Sequence, residues 1–163
     1  MRFKVSSSPA GSGAAFAVAL SGDIGAGIHE ALEELLNAVA GKRVTLDCKD
    51  IRHINSPGVR EWMMFMREAA RAGTTPEFVA CPAAMVDFCN LVGGFLGDPP
   101  RVTSFYVPYR CNDCGKKSDH LFLSAQLHST MTEFPELGCA TCDGKRQPEV
   151  RADDFAIALL KDG

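Results

Sequence analysis

No apolar run approaches the ~20 residues that a membrane-spanning helix requires, so helical membrane insertion is not expected. There is no surplus of charge of either sign: 17 Lys and Arg stand against 20 Asp and Glu, a net charge of −3. Residues 1–100 hold 9 basic and 11 acidic side chains and the rest of the chain holds 8 and 9. Neither part has the basic excess that phosphate-backbone binding demands, and nucleic acid is not the expected partner. A secretory signal is not expected either. Arg2 and Lys4 look like a basic leader, but polar residues 6–13 separate them from the apolar residues 14–20, whereas a signal's apolar segment follows its basic residues directly. The expected location is the cytoplasm. Internal repeats, a phosphate-binding Walker loop, a dinucleotide fingerprint and a nucleophile elbow are all lacking, so no enzyme class is indicated.

What is present is the composition of a folded globular chain: 163 residues, 46% hydrophobic and 23% charged. A chain of this length can bury roughly 70% of its unfolded surface. The first hundred residues alternate between strand and helix periods. Phe16, Val18 and Leu20 alternate as a strand; Ile28, Leu32, Leu35, Leu36 and Val39 then recur at helical spacing, with Gly41 as the residue that ends the helix. Residues 43–48 alternate again. Val59, Trp62, Met63, Met66 and Ala70 form a second helical stripe, closed by Gly73, with Met64 off its main face. Residues 77–81 read as a strand, and Pro82 opens a third helix carrying Met85, Phe88, Cys89 and Val92 until Gly93-Gly94. Strands alternating with helices predict an α/β layer.

The texture changes at Gly97-Asp98-Pro99-Pro100, which places a boundary between residues 1–100 and 101–163. Residues 101–109 and 120–128 read as strands, the latter with Leu121, Leu123, Ala125 and Leu127 on one side. A short C-terminal helix is expected near Phe155, Leu159 and Leu160, capped by Asp153.

Of the 7 cysteines, Cys48, Cys81 and Cys89 are scattered among apolar residues and read as small core hydrophobes. The other four form two C-x-x-C pairs, Cys111 with Cys114 and Cys139 with Cys142, separated by 24 residues. Each short loop can aim two thiolates at one ion, and two loops complete a tetrahedron, so the expected cofactor is one structural Zn²⁺ in a small β ribbon. A redox dithiol lacks the strand-to-helix setting it needs. Gly115 and Gly144 follow the loops where the backbone must approach sulfur closely. Lys116, Lys117, Lys145 and Arg146 lie next to the cysteines, where they can offset thiolate charge. Residues 110–151 as a whole carry 6 basic and 6 acidic side chains, too balanced for a nucleic-acid-binding ribbon. His29, His53, His120 and His128 are dispersed; the last two are near enough in sequence to support the metal ligands.

The stretch Val44-Thr45-Leu46-Asp47-Cys48 ends a strand, and Asn55-Ser56-Pro57-Gly58 turns into a helix. Together with Leu20-Ser21-Gly22-Asp23-Ile24 and Leu91-Val92-Gly93-Gly94, this resembles the STAS family, the domain of anti-sigma factor antagonists and sulfate-transporter tails. The likeness spans about residues 16–96 and does not extend to the ribbon. The family's hallmark is Asp-Ser-x-Gly, whose serine is phosphorylated by an anti-sigma kinase; Ser56 and Gly58 match it, while Asn55 replaces the acidic residue and Pro57 removes a backbone N–H. The resemblance implies a small mixed sheet with helices packed on it for residues 1–100, and a regulatory protein-interaction module with Asn55, Ser56, Gly58 and Arg60 at the partner surface and Ser56 as the phosphorylation site. Ser56 also reads simply as the N-cap of the helix, with Pro57 at N1. Two other functions stay open: an accessory subunit of a membrane transporter, and nucleic-acid binding through the ribbon.

Overall fold

The computed structural model describes residues 1–8 and 15–160. The elements run β1 (Lys4–Ser8), β2 (Ala15–Ile24), α1 (His29–Val39), β3 (Arg43–Ile54), α2 (Ser56–Arg71), β4 (Thr75–Val79), α3 (Ala83–Leu91), β5 (Ser104–Cys111), β6 (Lys117–Leu123), β7 (Leu137–Gly138), β8 (Lys145–Pro148) and α4 (Ala152–Phe155). The fold is mixed α/β with two four-stranded sheets, in the orders β1-β2-β3-β4 and β6-β5-β8-β7. No helix among the described residues is long and apolar enough to cross a membrane.

In the first sheet β2, β3 and β4 are parallel and α1 and α2 make the crossovers, as the alternating periods predict. Strand β1 was hidden in a Ser-rich stretch; it joins the edge antiparallel, setting Val5 opposite Leu20. An edge strand needs little apolar character of its own, because the backbone of β2 supplies the pairing. Strands β2 and β3 also run past their apolar cores. A register shift between Ala19 and Ser21 lets β3 continue after Cys48 with Ile51, rather than Asp50, turned inward. Strand β4 begins two residues before the expected 77.

Helix α1 buries Leu32, Leu35 and Val39 and is ended by Gly41 at φ +71°. Helix α2 buries Trp62, Phe65, Met66 and Ala69, while Ala70 is exposed; the apolar stripe is rotated by one position from the expected one. Trp62 is 0% exposed, packs against Phe65, Phe78 and Phe95, and donates its indole N–H to the Phe95 carbonyl at 2.8 Å. Cys48, Cys81 and Cys89 are buried here as expected. The adjacent Cys48 thiol, then burial, holds the Cys81 thiol well above its usual range, so it remains a protonated, inert hydrophobe.

The turn at 97–100 falls between α3 and β5, yet backbone and side chains cross it. Phe78 donates its N–H to Arg101 and accepts from Thr103, and Cys81 donates to Ser104 and accepts from Tyr106, at 2.8–3.1 Å. The buried Ser104 hydroxyl accepts the N–H of Ala80, the one described non-glycine residue at positive φ. Beyond this seam Phe105, Tyr109, Phe122, Phe134 and Phe155 make a second aromatic cluster, continuous with the first through buried neighbours. The Tyr109 hydroxyl donates to Pro135 at 2.8 Å.

Two expectations beyond residue 101 are corrected. Strand β6 stops at Leu123 and a 3₁₀ turn follows at Ser124–Gln126; its inner residues are Phe122 and half-buried His120, whereas Leu121 and Leu123 face outward. With a period of two, the aromatic core outside residues 120–128 selected the opposite face. Asp153 does not cap α4: the N-cap is Arg151, and Asp153 sits in the first turn, paired with the Arg151 guanidinium at 2.8 Å. That turn is held instead by Asn90, whose side chain donates to Phe155 at 2.6 Å and accepts from Ala158 at 3.0 Å.

Trp62→Ala removes the largest buried ring and the bond that anchors the 93–97 turn. The expected loss is about 3–5 kcal/mol of unfolding free energy, read from denaturant titration with unchanged m-value.

Candidate functional site: a four-cysteine cluster and the loop that starts α2

The cysteines Cys111, Cys114, Cys139 and Cys142 converge, with all four sulfurs within 4.8 Å of one another. Cys111 closes strand β5, and the tight turn after it is fixed by the Gly115 N–H donating to the Cys111 carbonyl, with Gly115 at φ +69°. The second pair lies between β7 and β8, where Cys139 donates its N–H to Gly144 at 2.9 Å. The two turns are stitched together by Asn112 donating to the Lys145 carbonyl at 3.1 Å. Gly144 packs beside Asp113: a Cβ there would lie 1.9 Å from a carboxylate oxygen of that exposed side chain, which would have to swing away.

The sulfurs of Cys111 and Cys142 are 3.6 Å apart and those of Cys114 and Cys139 3.8 Å, far longer than a disulfide. Backbone donors face the second pair, Thr141 N–H to Cys139 Sγ and Gly144 N–H to Cys142 Sγ, both at 3.4 Å. The donors of Thr141 and Cys142 bring the Cys139 thiol down to about 6. The Gly144 donor pulls Cys142 the same way, but the surrounding thiols of Cys111, Cys114 and Cys139, with partial desolvation, push it up to about 12. Four sulfurs held this close compete for negative charge, which a cation relieves. The four side chains can hold one metal ion.

The neighbouring basic residues are placed differently from the expectation that they offset thiolate charge. Lys145 pairs with Glu136 at 2.7 Å and Lys117 with Glu149 at 3.7 Å, while Arg146 donates to the Gly138 carbonyl and the Ser118 hydroxyl. Lys116 makes no ion pair among the described residues. The histidines do not support the ligands: His120 packs edge-on against Phe122 and Tyr109, and exposed His128 bonds Thr130 at 3.0 Å.

The loop at the start of α2 lies at the other end of the molecule's chemistry. Asn55, not Ser56, is the N-cap: its backbone is extended and its side-chain oxygen accepts the Gly58 N–H at 3.1 Å. Ser56 and Pro57 therefore occupy the first two helical positions, and both are exposed. The shift has a physical cause in Gly58. A Cβ at Gly58 would sit 2.0 Å from the Ile24 carbonyl oxygen, so the first turn presses directly on the end of β2, and Asn55 is fixed there by its own N–H to Ile24 at 3.1 Å. Arg60 is exposed four residues after Ser56, on the same helix face. Pro57 brings no N–H and the Gly58 N–H is occupied, which leaves this helix start poorer in anion donors than most.

Beside the loop is an open cleft of about 500 Å³ bordered by Asp23, Glu30, Glu34 and Asn55. The Met1 amino group, with His53 adding to it, holds the Asp23 carboxyl below its usual range.

No protein-family model matches the chain, and none of the curated proteins matches it.

The cap assignment yields a measurable difference. Asn55→Ala should lose about 1 kcal/mol of stability, Ser56→Ala no more than about 0.5 kcal/mol, and Gly58→Ala several times the Asn55 effect, by denaturant unfolding. With a metal ion held by the four cysteines, chelation should raise hydrogen exchange at residues 111–116 and 137–146 while β2 and β3 stay protected; uniform loss of protection would show that such an ion holds the entire core together.

Proposed function

We propose that the chain is a non-enzymatic regulatory module of the cytoplasm that binds a protein partner through the Ser56 loop and the first turns of α2, with phosphorylation of Ser56 as its switch. The observation that carries this reading is the exposure of Ser56 on a backbone clamped by Gly58 and Asn55. A hydroxyl presented on a rigid, solvent-facing helix start is accessible to a kinase and to a docking partner alike. The resemblance of Asn55-Ser56-Pro57-Gly58 to the STAS hallmark supports it, as does a sheet in which the serine follows the central strand β3. The partner class is an anti-sigma-type kinase or a comparable signalling protein. A phosphate on Ser56 adds about −1.5 to −2 charge beside Arg60, at a point where few backbone donors compensate it, so a partner packed there meets an altered field.

The same proposal gives the four-cysteine cluster a structural zinc ion. A Zn²⁺ tetrahedron with metal–sulfur bonds of ~2.3 Å has edges of about 3.8 Å, close to the observed 3.6 and 3.8 Å. Four thiolates leave no open position for a substrate, which favours a structural over a catalytic role. Elemental analysis of protein purified without chelator should find one zinc per chain; a metal-free protein of full stability would exclude it.

Affinity capture from native cells tests the interface. Ser56→Asp should weaken recovery of the partner tenfold or more without loss of stability, since an acidic residue at a helix start is electrostatically favourable. Ser56→Ala should recover it as the unmodified chain does. Unchanged capture by both Ser56→Asp and Arg60→Glu would move the interface away from this loop.

A further inference from the structure

The opposite end of α2 carries a second site, independent of the Ser56 reading. Its last turns, the start of β4 and the turn at 93–101 enclose a cleft of about 580 Å³, within the range of small-molecule sites. Met63, Met66 and Pro76 give it an apolar lining. Arg67 and Arg101 stand on its rim, both exposed, and neither forms an ion pair among the described residues. Asp98 is the one carboxylate in the lining, so the cleft is net cationic. On its far wall Gly93, Gly94 and Gly97 contribute backbone only, and Gly94 (φ +80°) and Gly97 (φ +99°) adopt the left-handed conformation that glycine tolerates. That wall is preformed: the buried Trp62 indole holds the Phe95 carbonyl, and Gly97 donates to Gly94 at 3.2 Å.

We infer that this cleft binds an amphiphile with a single anionic head group, of the class of medium-chain carboxylates. The head pairs with Arg67 and Arg101, whose guanidinium groups match a carboxylate in a charge-assisted geometry, and the tail lies along the methionines, whose flexible thioethers adapt to an alkyl chain. The net charge of the lining selects a monoanion over a neutral or cationic amphiphile of equal tail length.

Trp62 is the chain's one tryptophan, and its bond to the cleft wall makes its fluorescence a reporter. The full chain is titrated with decanoate and decyltrimethylammonium below their micellar concentrations and with decanol below its solubility limit. Decanoate should saturate at one per chain and bind at least tenfold more tightly than the other two. Arg67→Ala and Arg101→Ala should each weaken decanoate about tenfold. Arg71→Ala, which removes an exposed arginine of the same helix paired with Glu68, should not. Ala70→Phe, at an exposed lining position, should fill the cleft and abolish binding, with circular dichroism confirming the fold of each variant. Equal affinity for all three amphiphiles, indifference to both arginine substitutions, or no saturable binding at millimolar decanoate would overturn the proposal.

Discussion

Backbone hydrogen bonding along residues 101–111 is the constraint on which the rest of the molecule depends. The first half of this segment pairs with Phe78 and Cys81 at the edge of the first sheet; the second half is the central partner of β6 and β8 in the other. One continuous stretch of chain thereby belongs to both sheets. Phe105 is 0% exposed and joins the aromatic cluster of Phe122, Phe134 and Phe155, while Cys111 at the end of the same strand delivers the first sulfur to the four-cysteine cluster. Burying such rings supplies several kilocalories per mole each, so the cysteine turns hang from a strand that core packing anchors.

Helix α2 organises the surface in the same way that this strand organises the interior. Its start is pressed on the Ile24 carbonyl through Gly58, its middle is buried through Trp62, and its end forms one wall of the cationic cleft. At 1.5 Å per residue the two exposed ends are about 20 Å apart, far enough for separate ligands and rigidly connected by a buried face. The proposed switch at Ser56 and the proposed amphiphile site are thus carried on one element, with the single tryptophan between them.

The electrostatics of the cysteine cluster are local. Lys117, Lys145 and Arg146 are occupied by Glu149, Glu136 and backbone or hydroxyl acceptors, so stabilising thiolate charge falls to the Thr141 and Gly144 N–H groups and to any cation that the cluster holds. Short-range dipoles fixed by the turns suit this task better than long flexible lysines, which lose side-chain entropy when held in one place.

Local pattern was sufficient wherever the physics is local. The helical stripe of α1, the existence of α2 and α3, the apolar centres of β2 and β3, the glycine after α1 and the pairing of two C-x-x-C turns all follow from side-chain period, turn chemistry and ligand spacing. Where a partner elsewhere in the chain decides, the sequence pattern was silent or misleading. Strand β1 exists because β2 offers it an edge; the inward face of β6 is set by Phe105 and Tyr109 on β5, which turn Phe122 in and leave Leu121 and Leu123 in solvent. The cap of α2 moved from Ser56 to Asn55 because Gly58 meets Ile24, a contact between residues 34 positions apart that no local propensity encodes. The sequence by itself determined the residue types that can bind metal, start a helix and fill a core; only the tertiary structure decided which face, which cap and which cleft they make, because those depend on distances between segments that the chain brings together by folding.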